Sequence, residues 1–247
     1  MYQMGIPNKR SILSYGRQSI DEDDVAAVAA VLRGDWLTTG PTVRAFEAAL
    51  ATKRHANNVV ACANGTAALH LCALALGLGP GDAVIVPSVT FLATANAARY
   101  VGAEVVFTDV DAETGLARPE DFETALARPE AANARALIPV HYAGQCCDME
   151  RIFDIARSRE LFIVEDACHA LGTTYRTSSG ATGTVGDCRW SEMACFSFHP
   201  VKTIAMGEGG GCLDHRSGIG RASGTISQSR YDPGSGCDAQ SRSVAGR

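Results

Sequence analysis

No apolar run in this sequence approaches membrane-spanning length, and Met1 to Arg10 lack the apolar core of a signal peptide. A cytoplasmic protein is expected. No dense block of Lys and Arg is present, and a formal net charge of −5 would repel a phosphate backbone, which argues against a nucleic-acid binder. The nine cysteines are scattered and include no CxxC pair, and several fall within apolar strand or helix patterns, which points to reduced, mostly buried thiols. Asp166, Cys168 and His169 have no second cluster at metal-ligand spacing, so zinc is not expected. Charged residues make up only 20% of the 247 and hydrophobic ones 46%, enough apolar material for an enzyme-sized α/β core.

What is present alternates regularly. Val25, Val28 and Leu32 recur at helical spacing behind Asp21–Asp24, four acidic residues suited to the positive end of a helix dipole. Pro41 with Val43, Phe46 and Leu50 reads as a second helix. Strand-like runs follow at Val59–Ala63, Ala83–Pro87, Glu104–Asp109, Ala136–His141 and Leu161–Asp166, separated by helical patterns at Thr66–Leu76, Thr90–Val101, Glu120–Ala127 and Asp148–Arg159. Such alternation predicts an α/β fold with a mostly parallel sheet covered on both faces, in which ligands bind at the carboxyl ends of the strands.

The loops after those strands carry the chemically useful residues. Asn64-Gly65-Thr66-Ala67-Ala68-Leu69 opens a helix whose free N–H groups and positive dipole end suit a phosphate, with the Thr66 hydroxyl adding a donor. Taken alone, the hexapeptide is better read as an Asn-Gly turn with Thr66 as helix cap. Gly77-Leu78-Gly79-Pro80-Gly81 lies between a helix and a strand, the wrong order for a dinucleotide site, and reads as a connection. Asp166 leaves the fifth strand as a candidate metal ligand, general base or partner of a protonated ring nitrogen. His169, His141 and His199 read individually as structural histidines, and Phe91 as core or as a ring that stacks on an aromatic ligand. Lys202, after the apolar Cys195–Phe198 and before Gly207-Glu208-Gly209-Gly210, is a candidate Schiff-base nucleophile. Phosphate cradle, aromatic face, carboxylate and amine together describe a pocket for pyridoxal 5′-phosphate (PLP).

The segments YGRQSID (15–21), DWLTTGP (35–41), Asn64–Leu69, PVHYAGQ (139–145), EDACHALG (165–172) and Phe196–Gly210 occur in one order along the chain. In that order they resemble the DegT/StrS family of PLP-dependent nucleotide-sugar aminotransferases, and several co-linear motifs are more specific than any one. The resemblance implies the large domain of the type I PLP-dependent transferase fold. In it Lys202 bonds the cofactor and carries the proton to and from it, and Asp166 pairs with the ring nitrogen. Gly65, Thr66, Ala67 and Ser197 hold the phosphate, Phe91 covers a ring face, and His169 lies near the phenolic oxygen. Trp36, Thr38 and Gly40 are expected near the sugar entrance. The wording is nearest to transaminases of pseudaminic acid biosynthesis. It implies an amino-acid donor, glutamate in the family pattern, a UDP-linked 4-keto-6-deoxy-N-acetylhexosamine as acceptor, and a homodimer with shared active sites. Two readings stay open beside it. One is PLP-dependent sugar dehydration, against which Lys202 speaks because some relatives put histidine there; the other is a non-catalytic fragment or regulator.

The resemblance ends near Gly211. The expected division is a cofactor-binding large domain over 1–211 and a Ser-, Gly- and Arg-rich segment over 212–247 with almost no large apolar residue, a composition read as disordered. GC-rich codons for His215–Ser235, read one base later, can encode TDPELAARRALSRNHGMTRDP, which carries the helix pattern and NHGMTR signature of family members. The segment is therefore read as a frameshifted translation. The C-terminal small domain is expected to be missing, leaving the cofactor half of an active site.

Overall fold

The computed structural model of the chain describes residues 16–214; the frameshift reading of 215–247 lies outside them. Helix α1 (Glu22–Arg33) starts where the acidic run places it. Asp21 caps it by accepting from the N–H groups of Asp23 and Asp24, while the Asp24 carboxylate accepts from the Asp21 N–H. No residue of α1 is buried, and its apolar side chains Val25, Val28 and Leu32 are all exposed. Helix α2 (Pro41–Arg54) begins with proline at its first turn and ends on His55 in the left-handed conformation.

Strand and helix then alternate: β1 (Asn58–Cys62), α3 (Gly65–Ala75), β2 (Ala83–Pro87), α4 (Leu92–Tyr100), β3 (Glu104–Thr108), α5 (Pro119–Leu126), β4 (Ala134–Leu137), α6 (Met149–Ser158) and β5 (Phe162–Asp166). A two-stranded ribbon, β6 (Thr174–Arg176) with β7 (Thr182–Thr184), precedes β8 (Met193–Ser197) and β9 (Gly210–Asp214). One seven-stranded sheet runs in the order β1-β9-β8-β5-β4-β2-β3. Every neighbouring pair is parallel except those made by β9, which is antiparallel to β1 and to β8. The mostly parallel α/β sheet expected from the alternation is the fold observed.

The burial pattern explains the strand compositions. All five residues of β2, β8 and β9 are buried, because helices cover both faces. On one face α3 and α4 pack Leu69, Cys72, Ala97 and Ala98 against Val84, Val86 and Val164. On the other, α5 and α6 bring Phe122 and Ile152 onto Ile85, Leu137 and Ile163. Each buried Val, Leu, Ile or Phe among them contributes about 1.5–3 kcal/mol of transfer free energy.

Two expectations need correction. The fourth strand covers Ala134–Leu137 rather than Ala136–His141, since beyond Leu137 the chain keeps only the single bridge Val140↔Asp166. The boundary drawn at Gly211 falls inside β9: Cys212, Leu213 and Asp214 continue the strand, paired with Val60, Val59 and Asn58 on one side and with Cys195, Ala194 and Met193 on the other. Lying between two strands, this segment satisfies its backbone on both edges, which composition does not register.

Candidate active site

A cavity of about 490 Å³ opens at the carboxyl ends of β5 and β8, against the amino end of α3. Of the residues singled out from the sequence, Gly65, Thr66, Phe91, Asp166, His169, Ser197 and Lys202 all line it. Ala67, Trp36, Thr38 and Gly40 do not.

The turn into α3 is built by close approach. Asn64 caps the helix, its Oδ1 accepting from the Ala67 N–H at 2.9 Å, so the cap is Asn64 and not Thr66. That bond also takes the Ala67 donor inward, which removes Ala67 from the set expected to meet a phosphate. Gly65 and Thr66 belong to the same first turn, whose N–H groups have no partner within the helix. A Cβ on Gly65 would lie 2.9 Å from the Cys168 Sγ and 2.9 Å from the Ser197 Cβ. Only glycine lets the helix start sit against β8 and bring the Ser197 hydroxyl beside it.

Asp166 ends β5 with its backbone held on both sides: its N–H donates to the Pro139 carbonyl at 2.9 Å, and its carbonyl accepts from the His141 N–H at 3.0 Å. The carboxylate, 4% exposed, accepts from the Thr94 hydroxyl at 2.7 Å on Oδ2 and from the Cys168 N–H at 3.2 Å on Oδ1. Behind it lies a buried polar cluster. Glu165 accepts from the Ser191 hydroxyl at 2.5 Å and from the Gly186 N–H at 3.2 Å. His141 Nδ1 accepts from the Cys147 N–H at 3.1 Å, which puts its proton on Nε2, 3.0 Å from Glu165. His141 is thus the structural histidine the sequence reading expected.

Lys202 sits on the loop between β8 and β9. The Phe198 N–H donates to the Gly209 carbonyl and the Met206 N–H to the Phe198 carbonyl, both at 2.8 Å, closing the loop at its base. Phe198 is fully buried, edge-on to Phe46 with centroids 5.3 Å apart. Within the loop the Lys202 N–H donates to the His199 carbonyl at 2.8 Å. His169, half-buried across the cavity, titrates below the ordinary histidine value because burial removes water and, secondarily, because the Lys202 ammonium repels a second cation. Its Nδ1 accepts from the Ala143 N–H at 3.4 Å. The Cys168 thiol is pushed well up by burial and then by Asp166, so it is an inert wall atom at neutral pH.

The cavity also takes in Thr90, Tyr142 and Glu208, which residue-by-residue reading did not single out, Cys168, weighed there only for zinc, and His199, read there as structural. Glu208 and Tyr142 lie inside the quoted motifs, and Thr90 with Thr94 has the four-residue spacing of one helix face, a signal that was available. Phe91, 71% exposed at the cap of α4, forms the rim rather than the core. Trp36 and Thr38 are exposed on the segment between α1 and α2, where a Cβ on Gly40 would strike the Trp36 Cβ at 2.6 Å. Among the described residues no group of three or more His, Cys, Asp or Glu side chains is placed to hold a metal ion.

The profile of the DegT/DnrJ/EryC1/StrS aminotransferase family matches residues 18–217. The chain belongs to that family. The UDP-4-amino-4-deoxy-L-arabinose–oxoglutarate aminotransferase of Shewanella sediminis (strain HAW-EB3) is 39% identical over 197 residues, 78% of this chain and 47% of that protein. Among solved structures, the PLP form of the putative sugar aminotransferase Spr1654 from Streptococcus pneumoniae superposes with a TM-score of 0.75 at 30% identity, over 84% of this chain and 54% of that one. Helicobacter pylori PseC, an aminotransferase of pseudaminic acid biosynthesis, superposes at 0.76 with 25% identity, over 85% of this chain and 54% of its own. The DegT/DnrJ/EryC1/StrS chain described here therefore spans about half the length of the relatives it matches. Its family is one of PLP-dependent aminotransferases, represented in solved structures by both PLP and PMP forms.

The cavity walls suit that cofactor. Gly65 brings a helix start and the Ser197 hydroxyl to one end, Asp166 is a buried acceptor at another wall, and the Lys202 amine shares the same space.

Proposed function

We propose that this chain is the cofactor-binding large domain of an aminotransferase acting on a nucleotide sugar. The reaction moves an amino group from an amino acid, with glutamate as donor, to the 4-keto group of a UDP-linked 4-keto-6-deoxy-N-acetylhexosamine. The observation that carries the reading is the convergence of Lys202, Asp166, Ser197 and the Gly65-Thr66 turn on one cavity. The 39% identical relative named for a UDP-amino sugar and oxoglutarate supports the substrate class, and the likeness to PseC, named for pseudaminic acid biosynthesis, accords with the motif wording from which the particular sugar is read.

When bound, PLP supplies a carbonyl that bonds amines and a ring that accepts the electron pair released from the donor's Cα. This chain's residues would do the rest. The N–H groups of Gly65 and Thr66, with the Thr66 and Ser197 hydroxyls, would bind the phosphate at a helix start. Asp166 would accept from the ring N–H and keep it protonated. Lys202 Nζ would bond the cofactor, and once displaced would take the proton from the donor Cα and return one to the sugar carbon. His169, held as the neutral imidazole by burial and by Lys202, would face the ring as a hydrogen-bonding group without adding a cation. Phe91 would exclude water from one face.

The test is the visible absorption band that PLP gains on bonding a lysine amine. Wild-type protein should show it and Lys202→Ala should not; no band in wild type overturns the reading. A second reading is favoured by the exposure of Phe91 and Val201, which line the cavity, and of Ile204 and Met206 on the loop that carries Lys202, at 71%, 42%, 51% and 46%. In it the chain holds the cofactor as a half-site and turns over only with a homodimer partner and the remainder of a family-length protein. Band formation with no glutamate-dependent amination of the UDP-ketosugar selects this second reading.

A further inference from the structure

Asp166 is not positioned by its strand alone. Thr94, fully buried in the first turn of α4, sends its hydroxyl to the Asp166 Oδ2 at 2.7 Å, across 72 positions of sequence. A helical threonine ordinarily satisfies its hydroxyl on the carbonyl four residues back. Here the group four residues back contributes its side chain instead: Thr90 Oγ1 lies 2.7 Å from Thr94 Oγ1.

The direction of this chain of hydroxyls follows from proton counting. A carboxylate only accepts, and a hydroxyl has one proton to give. Thr94 gives its proton to Asp166, so Thr90 must donate to Thr94. The Thr90 proton is then committed away from the cavity that Thr90 lines, and its oxygen presents only lone pairs there. Oδ1 of Asp166 is held at the same time by the Cys168 N–H at 3.2 Å. With one donor on each oxygen, the carboxyl plane is pinned and the remaining lone pairs are left for the cavity.

We infer that Thr94, polarised by Thr90, is the positioning residue that aims Asp166 at the ring nitrogen of the bound cofactor. The inference rests on the reading of the cavity as a PLP site. Thr94 touches neither cofactor nor substrate; it acts through Asp166, by fixing the carboxylate plane before the ligand arrives. A valine at 94 keeps the shape and removes the hydroxyl, freeing the carboxyl to rotate and leaving Thr90 without its acceptor.

The test compares equilibrium binding of two ligands to the full chain: PLP, and its 1-deaza analogue, in which C–H replaces the ring nitrogen. Thr94→Val should weaken PLP binding about tenfold, the size expected for one hydrogen bond to a charged group. The deaza analogue offers Asp166 no ring N–H, so the same variant should change its binding by less than about threefold. Thr94→Ser should bind both ligands as wild type does. Equal weakening of both ligands, or none, overturns the inference and leaves the cofactor reading intact. Failure of wild type to bind PLP overturns the cofactor reading itself. Should Thr94→Val not fold, Thr94→Ala removes the same hydroxyl with less bulk, and the comparison between the two ligands is judged on it by the same criteria.

Discussion

Replacing Gly210 by alanine should open the site from beneath. Gly210 starts β9, opposite Cys62 of β1 and Ser197 of β8. A Cβ built there lies 2.2 Å from the Asn64 carbonyl oxygen, 2.3 Å from its carbon and 2.8 Å from the Gly65 nitrogen. Ordinary contact begins near 3.4 Å, so strand and turn must part by about 1.2 Å. The obstacles are backbone, and β9 is held on both edges, so no side chain can swing aside. Overpacking costs about 1–3 kcal/mol in general, and the upper end, about 3 kcal/mol, applies where the neighbour cannot yield. At 2–4 °C per kcal/mol for a domain of this size, melting should fall by about 6–12 °C. Because the displaced group is the Asn64-Gly65 turn, PLP uptake should weaken in the same variant. Thermal unfolding followed by circular dichroism, with and without PLP, measures both. Gly79→Ala is the control: its Cβ would meet only the Val101 carbonyl oxygen at 3.8 Å, so melting should hold or rise slightly. A Gly210→Ala protein that melts within about 2 °C of wild type and binds PLP unchanged refutes the reasoning.

Three further outcomes are expected. Asn64→Ala removes the acceptor for the Ala67 N–H and should cost about 1 kcal/mol in urea unfolding, while Asn64→Asp, which also caps, should cost less. The His169 ring should titrate below 6.5 by NMR and move upward in Lys202→Ala, though not fully to 6.5, because burial is the larger cause. The sign for stability follows: between the folded value and 6.5 the unfolded chain binds more protons. His169 therefore contributes a loss of stability as pH falls through that window, and none above it. The coding DNA across Gly207–Asp214, continued one base out of frame, should encode TDPELAARRALSRNHGMTRDP; a nucleotide sequence that does not rules out the frameshift reading of 215–247.

The residues legible in the sequence are those whose chemistry is tied to strand ends. Ala83–Pro87 and the run ending at Asp166 were readable because a strand buried on both faces is written as a continuous apolar run, and in a parallel sheet its carboxyl end is where a ligand meets it. Lys202 was readable from the apolar stretch before it and the glycines after it. What was not legible depends on distance in sequence. Gly210 lies 2.2 Å, at its absent Cβ, from a carbonyl 146 positions earlier, and Thr94 bonds a carboxylate 72 positions later. Neither need leaves a periodic trace in its own neighbourhood. Ala67 shows the opposite error: local reasoning counted its N–H as free because helix starts expose donors, whereas the neighbouring Asn64 had already used it. Strand β9 escaped for a third reason. Gly-Gly-Cys-Leu-Asp has neither the alternation nor the β-branched content of a strand, and it is one because β1 and β8 offer two edges that its backbone satisfies at once. The site is therefore assembled by contacts between segments that each look ordinary. A substitution at Gly210 or Thr94 should disturb Asp166 or the α3 turn as directly as one within the motifs themselves.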